Sequence, residues 1–293
     1  MGEGSWGWPT LATMELSRRW GTPAVCSSQF ADTIPAGSET PMTNETTSPG
    51  QCGSTLCGQT VVVIGGSAGI GLETARRARA EGAKVILTAR NPEPLERAAK
   101  EVDAISTAAF DATDFKLLDK FFNDLPSPVN HVLVTGPGPY YAPLADFEFE
   151  RARQDIESHL LLPIQIARNA RNKVRPGGTL LFMGGTGGRS VATGMVLISA
   201  LTAAMPAMAR NLALELAPIR VNVIAAGFVD TPLSARLLGE KIEDRRNQLR
   251  TMLPIRRVVE PADVAALAIH IMTNTALTGG TYDIDGGQQL VTM

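Results

Sequence analysis

A glycine-rich turn between an apolar β-type run and an amphipathic helical run constrains the fold of this chain most. The apolar run is Thr60–Ile64, the turn reads Gly65-Gly66-Ser67-Ala68-Gly69-Ile70-Gly71, and residues 71–83 have the pattern of a helix with a stop glycine. Glycine at 65 permits the tight turn, glycine at 69 lets backbone amides approach a ligand, and glycine at 71 lets the helix pack against the strand. Because a helix amino terminus attracts anions, the turn predicts a cradle for the pyrophosphate of a dinucleotide. The alternative is a glycine-rich turn without a ligand.

The remainder of the chain alternates short β-branched runs with longer amphipathic stretches. This alternation predicts parallel strands joined by right-handed helical crossovers, with helices on both faces of the sheet. The fold class is therefore α/β, a Rossmann-type doubly wound parallel sheet of about seven strands, with its ligand site at the carboxyl ends of the strands. The predicted strands are 60–64, 84–89, 104–110, 131–135, 179–183, 219–224 and 281–285, and the predicted helices are 71–83, 92–102, 114–124, 146–173 and 193–217.

The first 58 residues differ in composition from the rest of the chain. Residues 1–58 are rich in Gly, Ser, Thr and Pro and are predicted to be a disordered tail, while residues 59–293 form the folded domain. We expect that translation starts at Met42 and that the preceding residues are an upstream extension. Cys26, Cys52 and Cys57 all lie in the tail, which excludes a disulfide framework or a zinc site in the domain. Pairing or metal binding by Cys52 and Cys57 stays open beside two unconstrained cysteines.

Charge and hydropathy exclude several classes of partner. The formal net charge is -2, without the basic excess of a nucleic-acid-binding protein. No apolar run reaches the roughly 20 residues that a membrane span requires. The expectation is a cytoplasmic protein that binds a small molecule, with no nucleic acid, membrane or metal partner.

Several long segments resemble the short-chain dehydrogenase/reductase family, in the same order along the chain. Besides the glycine spacing, they are FDATD (110–114), LALELAPIRVNVIAAGFVDTP (212–232) and TGGTYDIDGGQQLV (278–291). The resemblance covers essentially all of residues 59–293. It implies a nicotinamide-dependent oxidoreductase that forms a homodimer or homotetramer through the helix 193–217 and the last strand, with a substrate lid at 231–254. The cofactor contacts it implies are Gly65, Ser67, Gly69, Ile70, Gly71, Asp111, Ala112, Gly136, Gly138, Gly227, Phe228, Val229 and Thr231.

The end of the second strand predicts which dinucleotide is bound. An NAD site places a carboxylate there to accept a hydrogen bond from the ribose 2′-hydroxyl, whereas NADP requires a cation for its 2′-phosphate. The strand ends Thr88-Ala89-Arg90-Asn91, with no acid. Arg90 is therefore predicted to bind the 2′-phosphate, which favours NADP over NAD. The alternative is a solvated surface arginine.

The residues that carry out the chemistry in this family are absent from the matching positions. Alignment through residues 212–218 places the family's serine at Gly185, its tyrosine at Ile198, its lysine at Thr202 and its asparagine at His159. No small shift restores the motif, because the tyrosines of the chain are Tyr140, Tyr141 and Tyr282. The resemblance thus implies dinucleotide binding without the usual proton donor.

Two classes of function remain open. In the first, the protein is an NADP-dependent oxidoreductase whose proton comes from another group; the candidate catalytic residues are Tyr140, Tyr141, His159, Thr186 and Arg189. Each has a structural alternative: one tyrosine packing on the other, a histidine satisfied within its helix, a threonine without a role, and an arginine paired with a surface carboxylate. In the second class, the protein catalyses nothing and binds NADP(H) as a sensor or a structural ligand.

Overall fold

A seven-stranded parallel β-sheet forms the centre of the computed structural model, which describes residues 55–189 and 191–291. Across the sheet the strands follow the order β3-β2-β1-β4-β5-β6-β7. The chain therefore changes direction between β1 and β4, which opens a crevice at their carboxyl ends. This confirms the predicted doubly wound α/β fold. The strands are β1 (Thr60–Ile64), β2 (Lys84–Ala89), β3 (Ser106–Ala109), β4 (Val129–Val134), β5 (Val174–Gly185), β6 (Arg220–Ala226) and β7 (Thr281–Ile284).

Helices connect the strands, and several begin with a capping side chain or with a proline in the first turn. The carboxylate of Asp114 accepts hydrogen bonds from the backbone N–H groups of Lys116 and Leu117, which caps α3. Proline occupies the first turn of α2, α7 and α9, where its missing N–H is harmless. The helices are α1 (Gly69–Ala80), α2 (Pro92–Val102), α3 (Phe115–Asp124), α4 (Phe149–Ile156), α5 (Leu162–Ala170), α6 (Val196–Glu215), α7 (Pro232–Leu238), α8 (Ile242–Met252) and α9 (Pro261–Thr273).

Both faces of the sheet are covered, because alternate residues of each strand point to opposite sides. In β1, Val62 and Ile64 belong to the core beneath α3, α5 and α6. Val61 and Val63 belong to the opposite core, beneath α1, α2 and α9. A strand buried on both sides must be apolar throughout, which explains the unbroken TVVVI run.

The folded domain begins before the predicted boundary at residue 58. Leu56 is fully buried in the core beneath α1, α2 and α9. Its N–H donates to the carbonyl of Glu81 at 3.1 Å, and the N–H of Gly58 donates to Gly82 at 3.2 Å. Residues 55–58 are therefore part of the domain. The predictions for Met42, Cys26 and Cys52 lie outside the described residues, and Cys57 is exposed.

The helix predicted over 146–173 is broken in the structure. α4 and α5 are joined by a π-helical turn, Glu157–Leu161. Pro163 explains the break, because it has no N–H to donate to the carbonyl of His159 four residues earlier. Helix α9 was not predicted, because its apolar residues leave little of the polar face that marks an amphipathic helix.

Helix α6 is long and apolar enough to cross a membrane by length and composition alone, and 22% of its most apolar window is buried. Ile198, Leu201, Met205 and Ala209 are its buried residues. The last two belong to the core formed with β5 and β6, so one face of the helix packs on the sheet.

A buried histidine lies inside β4. His131 is 2% exposed; its Nε2 lies 2.8 Å from Oε1 of Gln59, and its Nδ1 has no hydrogen-bond partner among the described residues. Burial, followed by the positive charges of Arg220 and Arg175, lowers the pKa of His131 to about 3. The folded protein therefore holds this imidazole neutral.

We expect His131 to destabilise the protein in mild acid. Because the unfolded chain binds a proton near pH 6.5 and the folded chain does not, this group removes about 1.4 kcal/mol of stability per pH unit between roughly pH 6.5 and 3. Between pH 7 and 5, the free energy of unfolding of His131→Gln should fall by about 2 kcal/mol less than that of the wild type. Urea unfolding at several pH values measures the difference, and His270→Gln, which changes an exposed histidine, is the control. Equal pH slopes for all three proteins would contradict the assignment.

Candidate dinucleotide site and reaction centre

The phosphate turn is held by the strand beside it. The N–H groups of Gly65 and Gly66 donate to the carbonyl of Thr88 at 3.0 and 2.9 Å. Gly65 has φ of +88°, which favours glycine, and a Cβ at Gly71 would lie 2.2 Å from the Gly65 carbonyl oxygen. The first turn of α1 therefore crosses the end of β1 at a distance that no side chain at position 71 would allow.

The amino terminus of α1 is open to an anion. Ala68 precedes the helix in an extended conformation with no side-chain cap, and the first turn contains no acid. Several backbone N–H groups at this end consequently have no acceptor within the helix. With half-buried Ser67 and Ile70 beside them, these groups fit the pyrophosphate of a dinucleotide.

Thr135 completes the turn, and sequence reasoning missed it. Its hydroxyl lies 3.0 Å from the carbonyl oxygens of both Ile64 and Gly65, and a Cβ at Gly65 would collide with the same hydroxyl. The residue directly after β4 thus fixes the turn that follows β1. The sequence placed Thr135 at the end of a predicted strand, 131–135, but it did not show that this strand lies beside β1.

The predicted adenosine contacts lie after β2 and β3. Arg90 directly follows β2 and is exposed, and no described residue forms a hydrogen bond or ion pair with its side chain. Asp111 follows β3, and its carboxylate accepts from the N–H and the hydroxyl of Thr113 at 3.0 and 2.8 Å. Ala112 lies half-buried between them. Because β1, β2 and β3 are neighbours, these positions share the edge that carries the phosphate turn.

Thr231 lies against the phosphate turn, as its predicted role requires. A Cβ at Gly69 would lie 3.5 Å from the side chain of Thr231. The Thr231 hydroxyl accepts a hydrogen bond from the N–H of Ser234 at 3.1 Å and so caps α7. The same residue therefore fixes the start of the lid beside the turn.

Helix α7 covers the loop that follows β4. A Cβ at Gly138 would lie 2.9 Å from Leu233 and 3.5 Å from Leu237, both on α7. The lid begun by Thr231 therefore rests on the loop that contains Gly136 and Gly138. Arg246 of α8 forms a two-pronged salt bridge to Asp230 at 2.7 and 2.8 Å, which holds the second lid helix to the same segment.

The three predicted contacts after β6 are held by Asp285, Gln288 and Val259. A Cβ at Gly227 would lie 2.6 Å from the Cβ of Asp285, and the N–H of Phe228 donates to the Gln288 side chain at 2.9 Å. Val229 is buried and forms a parallel bridge with Val259.

The positions that match the family's serine and lysine lie together. A Cβ at Gly185, at the end of β5, would lie 3.3 Å from Cγ2 of Thr202 on α6. The Thr202 hydroxyl donates to the carbonyl of Ile198 at 2.8 Å, within its own helix, and Ile198 is 4% exposed. A cavity of about 230 Å³ is lined by Gly185 and Thr202 and by Gly184, Gly188, Arg189 and Pro206. Apart from Arg189, the side chains named here that line this cavity are small.

Two of the candidate catalytic residues follow β5. Thr186 is buried, and its N–H donates to the carbonyl of Ala226 at 3.1 Å. Arg189 forms a salt bridge to Asp283 of β7 and donates to Gln289 at 2.7 Å. That hydrogen bond to Asp283 raises the pKa of Arg189 and ties it to the sheet edge. Among the described residues, no group of three or more His, Cys, Asp or Glu could hold a metal ion.

The two adjacent tyrosines differ in what their hydroxyl groups do. The Tyr140 hydroxyl accepts from the N–H of Glu148 at 2.8 Å and donates to the carbonyl of Asp146 at 3.4 Å, while its ring contacts Phe147. Although Tyr141 is 54% exposed as a residue, desolvation and the negative charge of Asp155 raise the pKa of its phenol. A raised pKa makes Tyr141 a weaker acid than an ordinary tyrosine.

His159 lies in the π-helical turn and contacts Asp155. Its Nδ1 is 3.1 Å from Oδ1 of Asp155, which is 5% exposed. A Cβ at Gly136 would lie 4.0 Å from the other ring nitrogen, Nε2, so this nitrogen faces the loop after β4. Burial lowers the pKa of His159, but the hydrogen bond and charge of Asp155 outweigh it, and the net shift is upward. The sequence offered no sign that Asp155 belongs to the site.

Comparison with known proteins agrees with this geometry. The profile of a family described as enoyl-(acyl carrier protein) reductase matches residues 65–289. The chain is 28% identical to the short-chain dehydrogenase/reductase ATR9 of Stachybotrys chlorohalonatus over 251 residues, covering 80% of this chain and 98% of the relative. It is 30% identical to the 3-oxoacyl-[acyl-carrier-protein] reductase MabA of Mycobacterium tuberculosis over 245 residues, covering 78% and 92%.

A solved structure has the same fold. BdcA in complex with NADPH superposes with a TM-score of 0.72 at 24% identity, covering 80% of this chain and 95% of BdcA. With the family profile spanning the domain from the phosphate turn to the last strand, the chain belongs to the short-chain dehydrogenase/reductase family of oxidoreductases.

Proposed function

We propose that this protein binds NADP(H) and transfers a hydride between it and a small organic substrate. The observation that carries the proposal is the cradle at the end of β1, where Gly71 crosses beneath the Gly65 carbonyl and α1 begins without a side-chain cap. A turn without a ligand has no need of this close crossing or of uncapped N–H groups aimed at open space. Thr231 beside Gly69 adds a second side to the same cradle.

The preference for NADP rests on Arg90. Its exposed guanidinium follows β2 without a partner among the described residues, so it is available to a 2′-phosphate. A charge-assisted hydrogen bond of this kind contributes about 1.5–3 kcal/mol, or roughly tenfold or more in affinity. BdcA, a structure of the same fold, is a complex with NADPH.

The chain's own residues would bind and orient the reactants. When bound, the reduced nicotinamide supplies a hydride to an electrophilic carbon of the substrate. The first-turn N–H groups of α1 hold the pyrophosphate, and α7 excludes water from the loop at Gly138 by packing Leu233 against it. Ile198 has no proton to donate, and the Thr202 hydroxyl is engaged within its helix. The proton that completes a carbonyl reduction must therefore come from elsewhere.

The outer face of α6 fits an interface with a second copy of the chain. Val196 and Leu214 are 66% and 80% exposed, and 18 residues correspond to five helical turns, so they lie on one face. Exposed Ala200, Ala203 and Ala207 lie between them on that face. Small residues flanked by apolar ones let two such helices pack closely. We propose a homodimer, or a homotetramer built from it, acting in the cytoplasm.

Turnover of NADPH tests the oxidoreductase proposal. We expect the protein to oxidise NADPH with at least one acceptor from a panel of an aromatic ketone, 9,10-phenanthrenequinone, a cyclic imine and cyclohex-2-enone. Absorbance at the nicotinamide band reports turnover, and fluorescence reports NADPH binding. Gly71→Ala is the control, because its Cβ collides with the Gly65 carbonyl and should abolish both signals. Binding without turnover of any acceptor would contradict the proposal and favour a sensor.

Replacement of Arg90 tests the cofactor preference. Arg90→Asp should weaken NADPH binding at least tenfold and leave NADH binding unchanged or stronger, because the carboxylate repels the 2′-phosphate and accepts from a 2′-hydroxyl. Fluorescence titration with each dinucleotide gives the two dissociation constants. Arg171→Asp makes the same charge change at an exposed arginine near the opposite end of the strands, just before β5. If both variants change the NADPH to NADH affinity ratio equally, Arg90 does not select the cofactor.

A charge on the outer face of α6 tests the interface. Leu214→Glu should lower the molar mass measured by light scattering to that of one chain, because a carboxylate buried between helices is strongly unfavourable. Ile105→Glu, at an exposed apolar residue before β3, should leave the mass unchanged. A wild-type protein that is already monomeric would refute the proposed dimer.

A further inference from the structure

The surroundings of His159 fix which ring nitrogen carries its proton. Nδ1 lies 3.1 Å from the carboxylate Oδ1 of Asp155 and 3.0 Å from the carbonyl oxygen of the same residue. Both oxygens can only accept a hydrogen bond, so Nδ1 carries a hydrogen in the neutral as well as the charged ring. The Ser158 hydroxyl, 3.1 Å from Nδ1, donates to the Asp155 carbonyl. Nε2 is consequently the nitrogen that gains and loses a proton.

Nε2 faces the loop that follows β4. The loop that begins at Thr135 and Gly136 follows β4 on the edge that carries the phosphate turn, and Gly136 is the residue that Nε2 faces. Because Gly136 has no side chain, nothing from this residue separates the imidazole ring of His159 from the loop after β4. The nitrogen able to exchange a proton thus faces the loop after β4, while the other nitrogen is anchored by Asp155.

Asp155, the residue that holds the His159 ring, is itself buried and hydrogen-bonded. It is 5% exposed, and its second carboxylate oxygen accepts a hydrogen bond from the N–H of Tyr140 at 3.3 Å. The same carboxylate therefore connects the helix that carries His159 with the loop after β4. Among the described residues, His159 is the basic side chain within ion-pair distance of it. A buried carboxylate with one such partner favours the imidazolium form of that partner.

Three other titratable side chains lie around this turn, and none of them forms a hydrogen bond with the Asp155 carboxylate. Tyr141 has a raised pKa, and the Tyr140 hydroxyl is engaged with Asp146 and Glu148 of its own loop. Glu157, in the same turn, has its carboxylate in no hydrogen bond with a described residue. At the positions that match the family's tyrosine and lysine, α6 carries no titratable group.

We propose that Asp155 and His159 form the proton-donating dyad of this enzyme, with His159 as the catalytic acid and Asp155 as its positioning residue. This inference rests on the proposed function. In a carbonyl reduction, the substrate carbon gains the hydride, the π-electron pair moves to oxygen, and that oxygen takes the proton from Nε2. The imidazolium becomes a neutral imidazole, still hydrogen-bonded to Asp155 through Nδ1, and solvent returns the proton. In the oxidative direction the same nitrogen accepts the proton.

Histidine-selective NMR tests the dyad without any substrate. The chain contains three histidines, and His131 and His270 serve as internal references, one buried and one exposed. Nitrogen-15 shifts of the wild type should place the proton of neutral His159 on Nδ1 and give it a pKa above 6.5. In Asp155→Asn the pKa of His159 should fall below 6.5, because the charge of the carboxylate is lost and burial, the largest effect, then outweighs the remaining hydrogen bond to the backbone carbonyl of residue 155. A proton on Nε2 in the wild type, or a pKa that Asp155→Asn leaves unchanged, would overturn the role of Asp155.

Kinetics with the best acceptor of the NADPH panel tests the donor itself. His159→Gln should lower kcat/KM by about 10²–10⁴-fold while the NADPH dissociation constant stays unchanged. Asp155→Asn should lower kcat and move the basic limb of the pH profile to lower pH, because protonated His159 is then lost earlier. Glu157→Gln removes an equal charge from the same turn and should leave rate and profile unchanged.

The outcomes separate the dyad from the oxidoreductase proposal. If His159→Gln keeps kcat/KM within about twofold and retains the wild-type pH profile, another group donates the proton and the oxidoreductase proposal stands. If the wild type turns over no acceptor, both proposals fail. Imidazole added to His159→Ala should restore part of the lost rate if only the acid is missing, and it should have no effect on Asp155→Asn.

Discussion

The close crossing of α1 over the end of β1 is the constraint on which the site depends. Gly71 can approach the Gly65 carbonyl only because neither residue carries a side chain, and Thr135 locks the same carbonyl from β4. The sheet reverses its winding between these two strands, so the turn, the loop after β4 and the lid at Thr231 meet at one edge. A bulkier residue at position 71 would displace α1 and separate these parts together.

Sequence alone predicted the sheet and the backbone cradle, because both depend on local patterns. A strand buried on two faces must be apolar throughout, and a phosphate turn must contain glycine where the chain crosses itself. Helix α9 was missed because it is apolar on most sides, although the Asp263 carboxylate that accepts from the N–H of Glu260 at 2.9 Å marks its start. The break before α5 was also readable, since Pro163 removes a helical hydrogen bond. Leu56 was assigned to the tail because one apolar residue in a polar segment has no periodicity.

The side chains of the site were harder to predict, since each depends on a neighbour that is distant in the sequence or in a different loop. His159 was a candidate, but the orientation and protonation of its ring depend on three neighbours. These are Asp155, the N–H of Tyr140 that donates to Asp155, and Gly136, which has no side chain. Arg189 has a partner in Asp283 of β7, 94 residues later in the chain, and the sequence could not identify that partner. The residue type determines which chemical groups a side chain can offer. Its hydrogen-bond partners in the folded protein determine which of those nitrogen or oxygen atoms is free to react.

Binding and proton supply are separable in this architecture for a physical reason. The cradle consists mainly of backbone N–H groups and glycines, so it does not depend on the identities of residues 185, 198 and 202. Ile198, 4% exposed, is the position that the sequence alignment predicts for the family's tyrosine, and an aliphatic side chain there contributes apolar burial but no acid. The π-helical turn before Pro163 carries the imidazole that we propose as the proton donor, anchored by a carboxylate that the fold already buries. A donor at His159 instead of one on α6 would therefore require no change in the sheet, the phosphate turn or helix α7, and one dinucleotide-binding fold can in this way support different reactions.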